Sequence, residues 1–169
     1  MPTNINPKKL SRGKKPSTPR GVKRTSRLFD KRNEPVGEHH WIGVQPTPHT
    51  HYGFVYLIRS LLTGKGYIGR KFYHSYRSNR CHSPSDWRTY CGSNLQLLKD
   101  IQSQGKDNFT FEILRQFVTR GSVLYAEANI QHKYDVLTSR LKNGERAYYN
   151  GNISAVKFIP KVDKTGTLL

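Results

Sequence analysis

The sequence predicts a small α+β domain: a central three-stranded antiparallel sheet flanked by helices, behind a basic and largely disordered N-terminal arm. Three observations carry this. Two aromatic and β-branched runs, Gly53–Arg59 and Gly66–Lys71, are joined by a segment with two glycines, as in a hairpin. Asn108–Arg115 alternates apolar and polar like a third strand, with Phe109, Phe111 and Ile113 inward. Two stretches, from Ser93 and from Val123, repeat apolar residues at helical spacing.

Composition narrows the partner. The 169 residues carry 29 Lys and Arg against 11 Asp and Glu, a formal charge of +18. Such an excess points to a polyanion, with nucleic acid ahead of an anionic membrane. No apolar run is long enough to span a bilayer and no secretory h-region follows Met1, so the reading is cytoplasmic and not secreted, with no membrane partner. Cys81 and Cys91 are read as free thiols of a reducing compartment.

Taken in order, residues 1–48 form the arm. Eleven basic residues, among them Lys14, Lys15 and Arg24, meet only Asp30, Glu34 and Glu38, and Pro2, Pro7, Pro16 and Pro19 interrupt any helix. The arm is expected to lie along phosphates, its end pinned to the domain by Trp41, Ile42 and Val44. The domain proper is placed at 49–159. In the hairpin, alternation puts Phe54 and Tyr56 on one face, and pairing brings Tyr56 beside Tyr67. Residues 70–80, turning helically, would put Arg70, His74 and Arg77 on one face. Ser83–Asp86 reads as a loop, and Trp87–Gly92 as an aromatic cover over the active face.

Ser93-Asn94-Leu95-Gln96 reads as a capping box opening a helix with the stripe Leu95, Leu98 and Ile101, which Gly105 ends. Gly121-Ser122 is read as the cap of a second helix over about 123–139. Its face, Val123, Glu127, Ile130, Tyr134 and Leu137, sets one carboxylate among apolar and aromatic groups. Burying a lone carboxylate is costly, so Glu127 is expected to face a metal ion or a basic group. Residues 160–169 are expected to fray. His39-His40, His49, His51, Cys81, His82 and Cys91 lack the paired spacing of a zinc site.

Phe54-Val55-Tyr56 and the intact Tyr67-Ile68-Gly69 resemble the two signature motifs of the GIY-YIG nuclease family, with Phe54 where the first motif has glycine. The run Asp86–Ser93 looks like the SegE-like phage branch, which includes homing endonucleases. The resemblance implies a divalent-metal-dependent endonuclease hydrolysing DNA phosphodiesters. Arg77, ten residues after Tyr67, takes the catalytic arginine's place; Arg70 and the Tyr149-Asn150 pair also match. Glu127 would bind one Mg²⁺ or Mn²⁺. Tyr56 would take the water's proton, with its pKa of about 10 lowered by nearby cations, and Tyr67 would position water or phosphate. His74, with a reference pKa of about 6.5, is the second candidate base. Lys71, Arg80, Arg88 and Asn150, with Lys14, Lys15 and Arg24, are the expected nucleic-acid contacts. No obligatory protein partner is evident. A catalytically idle basic binding module and a restriction endonuclease of the same fold are the competing readings.

Overall fold

The computed structural model describes residues 36–77 and 80–169; Lys14, Lys15 and Arg24 lie outside them. The main sheet holds β1 (Ile42–Gly43), β2 (Gly53–Ser60), β3 (Gly66–Phe72) and β6 (Phe109–Phe117), in the order β1-β6-β2-β3. It is four-stranded and mixed rather than three-stranded and antiparallel, because Ile42 and Gly43 pair parallel with Glu112 and Ile113. The sheet therefore draws in residues that composition assigns to the arm. Trp41 pins them: its ring is buried and its Nε1–H donates to the Trp87 carbonyl at 2.6 Å. Ile42 and Val44 have exposed side chains and pin the segment through the backbone instead, Ile42 by pairing with Glu112 and Val44 by donating its N–H to the Ile113 carbonyl at 3.2 Å.

Strand alternation splits the core in two. Phe54, Tyr56 and Ile58 of β2 join Phe109, Phe111 and Ile113 of β6 on one face. Trp41, Tyr73, Trp87 and Leu97 cover that face, with edge-on contacts such as Tyr73–Trp87 at 5.1 Å. Val55 and Ile68 point to the other face and pack with Val123 and Ala126 of α2 (Arg120–Lys133). Each large apolar side chain sealed in this way contributes about 1.5–3 kcal/mol. Phe54, standing where the motif has glycine, fills a space between Trp41 and Tyr73.

Residues 70–80 do not turn helically. β3 runs on to Phe72, and β4 (His74–Arg77) pairs antiparallel with β5 (Arg80–Pro84) as a separate two-stranded sheet. The stretch has aromatic residues and serines but no Ala, Leu or Glu, and Pro84 closes it.

α1 (Leu95–Gln104) ends at Gly105, whose φ of 88° suits glycine. Its cap is Asn94, accepting from the Leu97 N–H at 3.0 Å, rather than Ser93. That one-residue shift leaves Leu95 and Leu98 exposed and buries Leu97. α2 is capped by Thr119, one turn earlier than expected, and stops at Lys133. There Asp135, with φ 45°, and the Val136 N–H to Gln131 carbonyl bond terminate it in a Schellman pattern. Tyr134 and Leu137 consequently leave the buried face, which is Val123, Ala126, Glu127 and Gln131. Residues 160–169 fold back as a turn around the Asp163 carboxylate, with Val162 bridging Leu168.

Candidate active site

β3 is the last strand of the sheet, its outer edge is met by residues 147–150, and a polar cleft of about 560 Å³ is lined by its residues Tyr67, Arg70, Lys71 and Phe72. The strand's alternation serves the cleft from both faces. Tyr67, Gly69 and Lys71 alternate with Ile68 and Arg70. Tyr56 stands directly across from Gly69 on β2. A Cβ on Gly69 would meet the Tyr56 hydroxyl at 2.5 Å and the Tyr67 ring at 3.1 Å. The glycine is thus a gap over which the Tyr56 phenol lies, next to Tyr67, with ring centroids 6.2 Å apart. From the other face Arg70 reaches Glu127 of α2, forming a hydrogen-bonded ion pair.

A buried side chain holds the edge in place. Asn150 sends its Nδ2–H to the Ile68 carbonyl at 2.8 Å and accepts the Ile68 N–H at 3.0 Å, completing the pairing a further strand would give. Gln131 Nε2 donates to the same carbonyl at 2.9 Å. Asn150, expected to touch nucleic acid, is therefore occupied in fixing the Tyr67-Ile68-Gly69 backbone. Tyr149 donates its hydroxyl to Asp100 at 2.8 Å and tethers α1.

The electrostatics follow from burial. Tyr56 is 1% exposed, and desolvation raises its pKa well above the ordinary phenol value, with the Tyr67, Tyr90 and Glu127 groups adding in the same direction. Tyr67 is also raised by burial, opposed by its Ser93 hydrogen bond at 3.1 Å and by Arg70. The lowering of Tyr56 expected from neighbouring cations is thus reversed in the protein alone. Burial raises Glu127 too, with Arg70 pulling it back. His74 lines the cleft; burial first, then His49 and Arg88, hold its imidazole below the usual value, so it is neutral near pH 7.

Tyr56, Tyr67, Arg70, Lys71, His74, Glu127 and Asn150 all line the cleft. Arg77 and Arg80 do not: they are exposed cross-strand partners on the β4–β5 hairpin. Arg88, expected to touch nucleic acid, donates Nε–H to the Val36 carbonyl at 2.8 Å and covers the Trp87 ring. The sequence reading missed Tyr90, Ser93 and Gln131 as cleft residues. Tyr90 packs edge-on to Tyr56 at 6.1 Å and carries the Lys71 ammonium 3.7 Å over its ring, while Lys71 donates to Asp86 at 2.5 Å. Gln131 could have been found one turn after Glu127 on the same helical face.

Residues 38–153 match the family model described as "Putative endonuclease segE, GIY-YIG domain". The chain belongs to this GIY-YIG nuclease family. No curated protein and no solved structure matches it. The span of this GIY-YIG endonuclease domain begins before β1 and ends just past Asn150, taking in every element that builds the cleft.

Proposed function

We propose that the protein is a divalent-metal-dependent endonuclease that hydrolyses DNA phosphodiester bonds in the cleft along β3. The observation that carries this reading is the Gly69 gap. It lets the Tyr56 phenol lie over β3 beside Tyr67, in the same cleft that the Arg70–Glu127 pair lines from the other face of the strand. A purely binding surface has no need of a buried phenol or a buried carboxylate.

Glu127 would hold Mg²⁺ or Mn²⁺. Among the described residues no three His, Cys, Asp or Glu side chains gather. One carboxylate beside neutral oxygen groups suits a hard ion that keeps its waters and takes its other ligands from phosphate. When bound, such an ion supplies charge stabilisation at the phosphate and eases loss of protons nearby. Arg70, freed from part of its pairing, gives charge-assisted hydrogen bonds to the phosphoryl oxygens. It stands in the cleft where Arg77 does not. Tyr67 and Ser93 orient the phosphate or the water through their paired hydroxyls. Lys71, over Tyr90, adds positive charge at the cleft's rim. Tyr56 would accept the proton of the attacking water as its phenolate, having first released its own proton to solvent, a loss that its raised pKa opposes in the protein alone.

A second assignment of the base has an observation of its own: His74 is already neutral and able to accept a proton near pH 7. Plasmid nicking separates these readings. With Mg²⁺ wild type nicks and with EDTA it does not, and Glu127→Ala loses at least 100-fold. Loss in Tyr56→Phe with retention in His74→Ala assigns the proton to the phenol, and the reverse assigns it to the imidazole. Tight DNA binding with no nicking under any metal would overturn the enzyme and leave a binding module.

A further inference from the structure

We infer that Gln131 is a positioning residue of the metal centre: its Oε1 accepts a hydrogen bond from water carried by the divalent cation at Glu127, while its Nε2 joins that centre to the β3 backbone. Gln131 has this role only if the nuclease reading holds, and that reading by itself gives it none. The two residues stand at i and i+4 on α2, so their side chains leave the helix on one face, with Cβ atoms about 5–6 Å apart. That face is the buried one. Glu127 is 7% exposed and Gln131 5%, and Val123 and Ala126 beside them pack with Val55 and Ile68 of the sheet. Both polar side chains nonetheless line the cleft.

The direction of the Gln131 amide is fixed by its partner. Nε2 donates to the Ile68 carbonyl at 2.9 Å, and a carbonyl can take only the nitrogen end of an amide. Oε1 is the end left over, and among the described residues no donor reaches it. An amide oxygen held in a buried side chain without a donor is costly, and an apolar residue of similar length would avoid the cost. The neighbouring groups have no donor to lend. Arg70 is spent on Glu127, and Asn150 gives its nitrogen to the Ile68 carbonyl and its oxygen to the Ile68 N–H. The Tyr67 and Ser93 hydroxyls bond to each other. A carboxylate and an amide oxygen one turn apart therefore call for a ligand that donates. A phosphate oxygen only accepts and does not serve. A hydrated hard cation does, because it keeps several of its waters and these present their hydrogens outward. Glu127 supplies the direct bond, and Oε1 takes the hydrogen of one such water. Through Nε2 the same side chain fixes the carbonyl that precedes Gly69, so the cation and the strand bearing Tyr67 are set by one amide.

The test is Mn²⁺ binding by the full chain without DNA, with free Mn²⁺ read by electron paramagnetic resonance. Wild type is compared with E127A, Q131M and Q131E, each checked for folding by a thermal melt in EDTA. Methionine and glutamate both give up the bond to the Ile68 carbonyl, but only glutamate keeps an acceptor oxygen. Groups that hold a metal's ligands from outside its coordination shell contribute about 10–100-fold to affinity. Q131M is expected to weaken Mn²⁺ binding by that factor, and Q131E to bind at least as tightly as wild type. Equal weakening in Q131M and Q131E would overturn the proposal, reducing Gln131 to a support for Ile68. So would binding that E127A abolishes and Q131M leaves unchanged, and in that case the metal reading at Glu127 stands. Wild-type protein that binds no Mn²⁺, or binding that survives E127A, would instead sink the metal reading itself and the role of Gln131 with it.

Discussion

The two hairpins, joined at Tyr73, are built on opposite terms. β2–β3 is held from every side: β6 along one edge, Asn150 and Gln131 on the Ile68 backbone, Trp41 and Trp87 above, α2 below. β4–β5 has its own ladder, one ring stack and bonds at its root. The first hairpin can therefore hold costly groups, namely a buried phenol and a buried carboxylate, in fixed positions. The second buries His74 at its root and otherwise carries exposed charged groups. Preorganised chemistry needs the first kind of support, and contact with a large charged partner tolerates the second.

The sharpest way to break the contrast is to fill the Gly69 gap. In Gly69→Ala the new methyl falls 2.5 Å from the Tyr56 hydroxyl and 2.8 Å from its ring carbon, so the buried ring must move. Overpacking of this kind costs about 1–3 kcal/mol, and an ångström of displacement in a catalytic group costs about 100-fold in rate. Nicking should fall by at least that factor, with the thermal midpoint lowered. Ser75→Ala on the exposed β4–β5 ribbon should change stability by no more than about 0.5 kcal/mol. Equal effects at the two positions, by calorimetry and nicking, would erase the difference between the hairpins.

Next in size is Arg70→Ala, which leaves Glu127 buried without its cation. Because burial already raises the folded pKa of Glu127 above its unfolded value, the native state binds more protons in that window. The carboxylate's penalty is therefore absent at low pH, where both states are protonated, and grows as pH rises through the folded pKa. Removing Arg70 raises that pKa further. The variant should match wild type most closely near pH 4 and fall behind by about 1–3 kcal/mol at pH 8. That is below the 3–5 typical of fully buried pairs, because 32% of the Arg70 side chain faces water. Urea titrations across pH give the comparison, and a constant difference at all pH values would contradict it.

What the sequence made legible divides along the same line. β2, β3 and β6 were readable because alternation is a local signal that the sheet then enforces: Phe109, Phe111 and Ile113 do point inward. The pairing of Tyr56 with Tyr67 followed from it. The second hairpin was not readable, since Arg70, His74 and Arg77 also fall at helical spacing. A basic surface ribbon has no buried face to give its period away. β1 was missed because two residues carry no pattern, and its partner lies about seventy positions downstream. Asn150 was recognised as a site residue, but its two bonds to the Ile68 backbone were not foreseen, for nothing in a tyrosine–asparagine pair says that Ile68 waits across the sheet edge. Tyr90 looked like a cover because its place in the cleft depends on Gly92 and Leu97 packing the loop inward.

The smallest expected effect tests whether the ribbon's one ring stack holds it in place. Tyr76→Ala removes the near-parallel contact with Tyr52, at 12° between planes, from a half-buried position. An aromatic pair adds about 0.5–1.5 kcal/mol beyond its buried area, and the main sheet does not depend on it, so global unfolding should change by little more than that. The ribbon amides should nevertheless exchange with solvent faster while those of β2 and β3 keep their protection, because local opening draws on local contacts. Uniform loss of protection across both hairpins, read by amide hydrogen exchange, would instead mean that the two fold as one unit and that the ribbon's independence is only apparent.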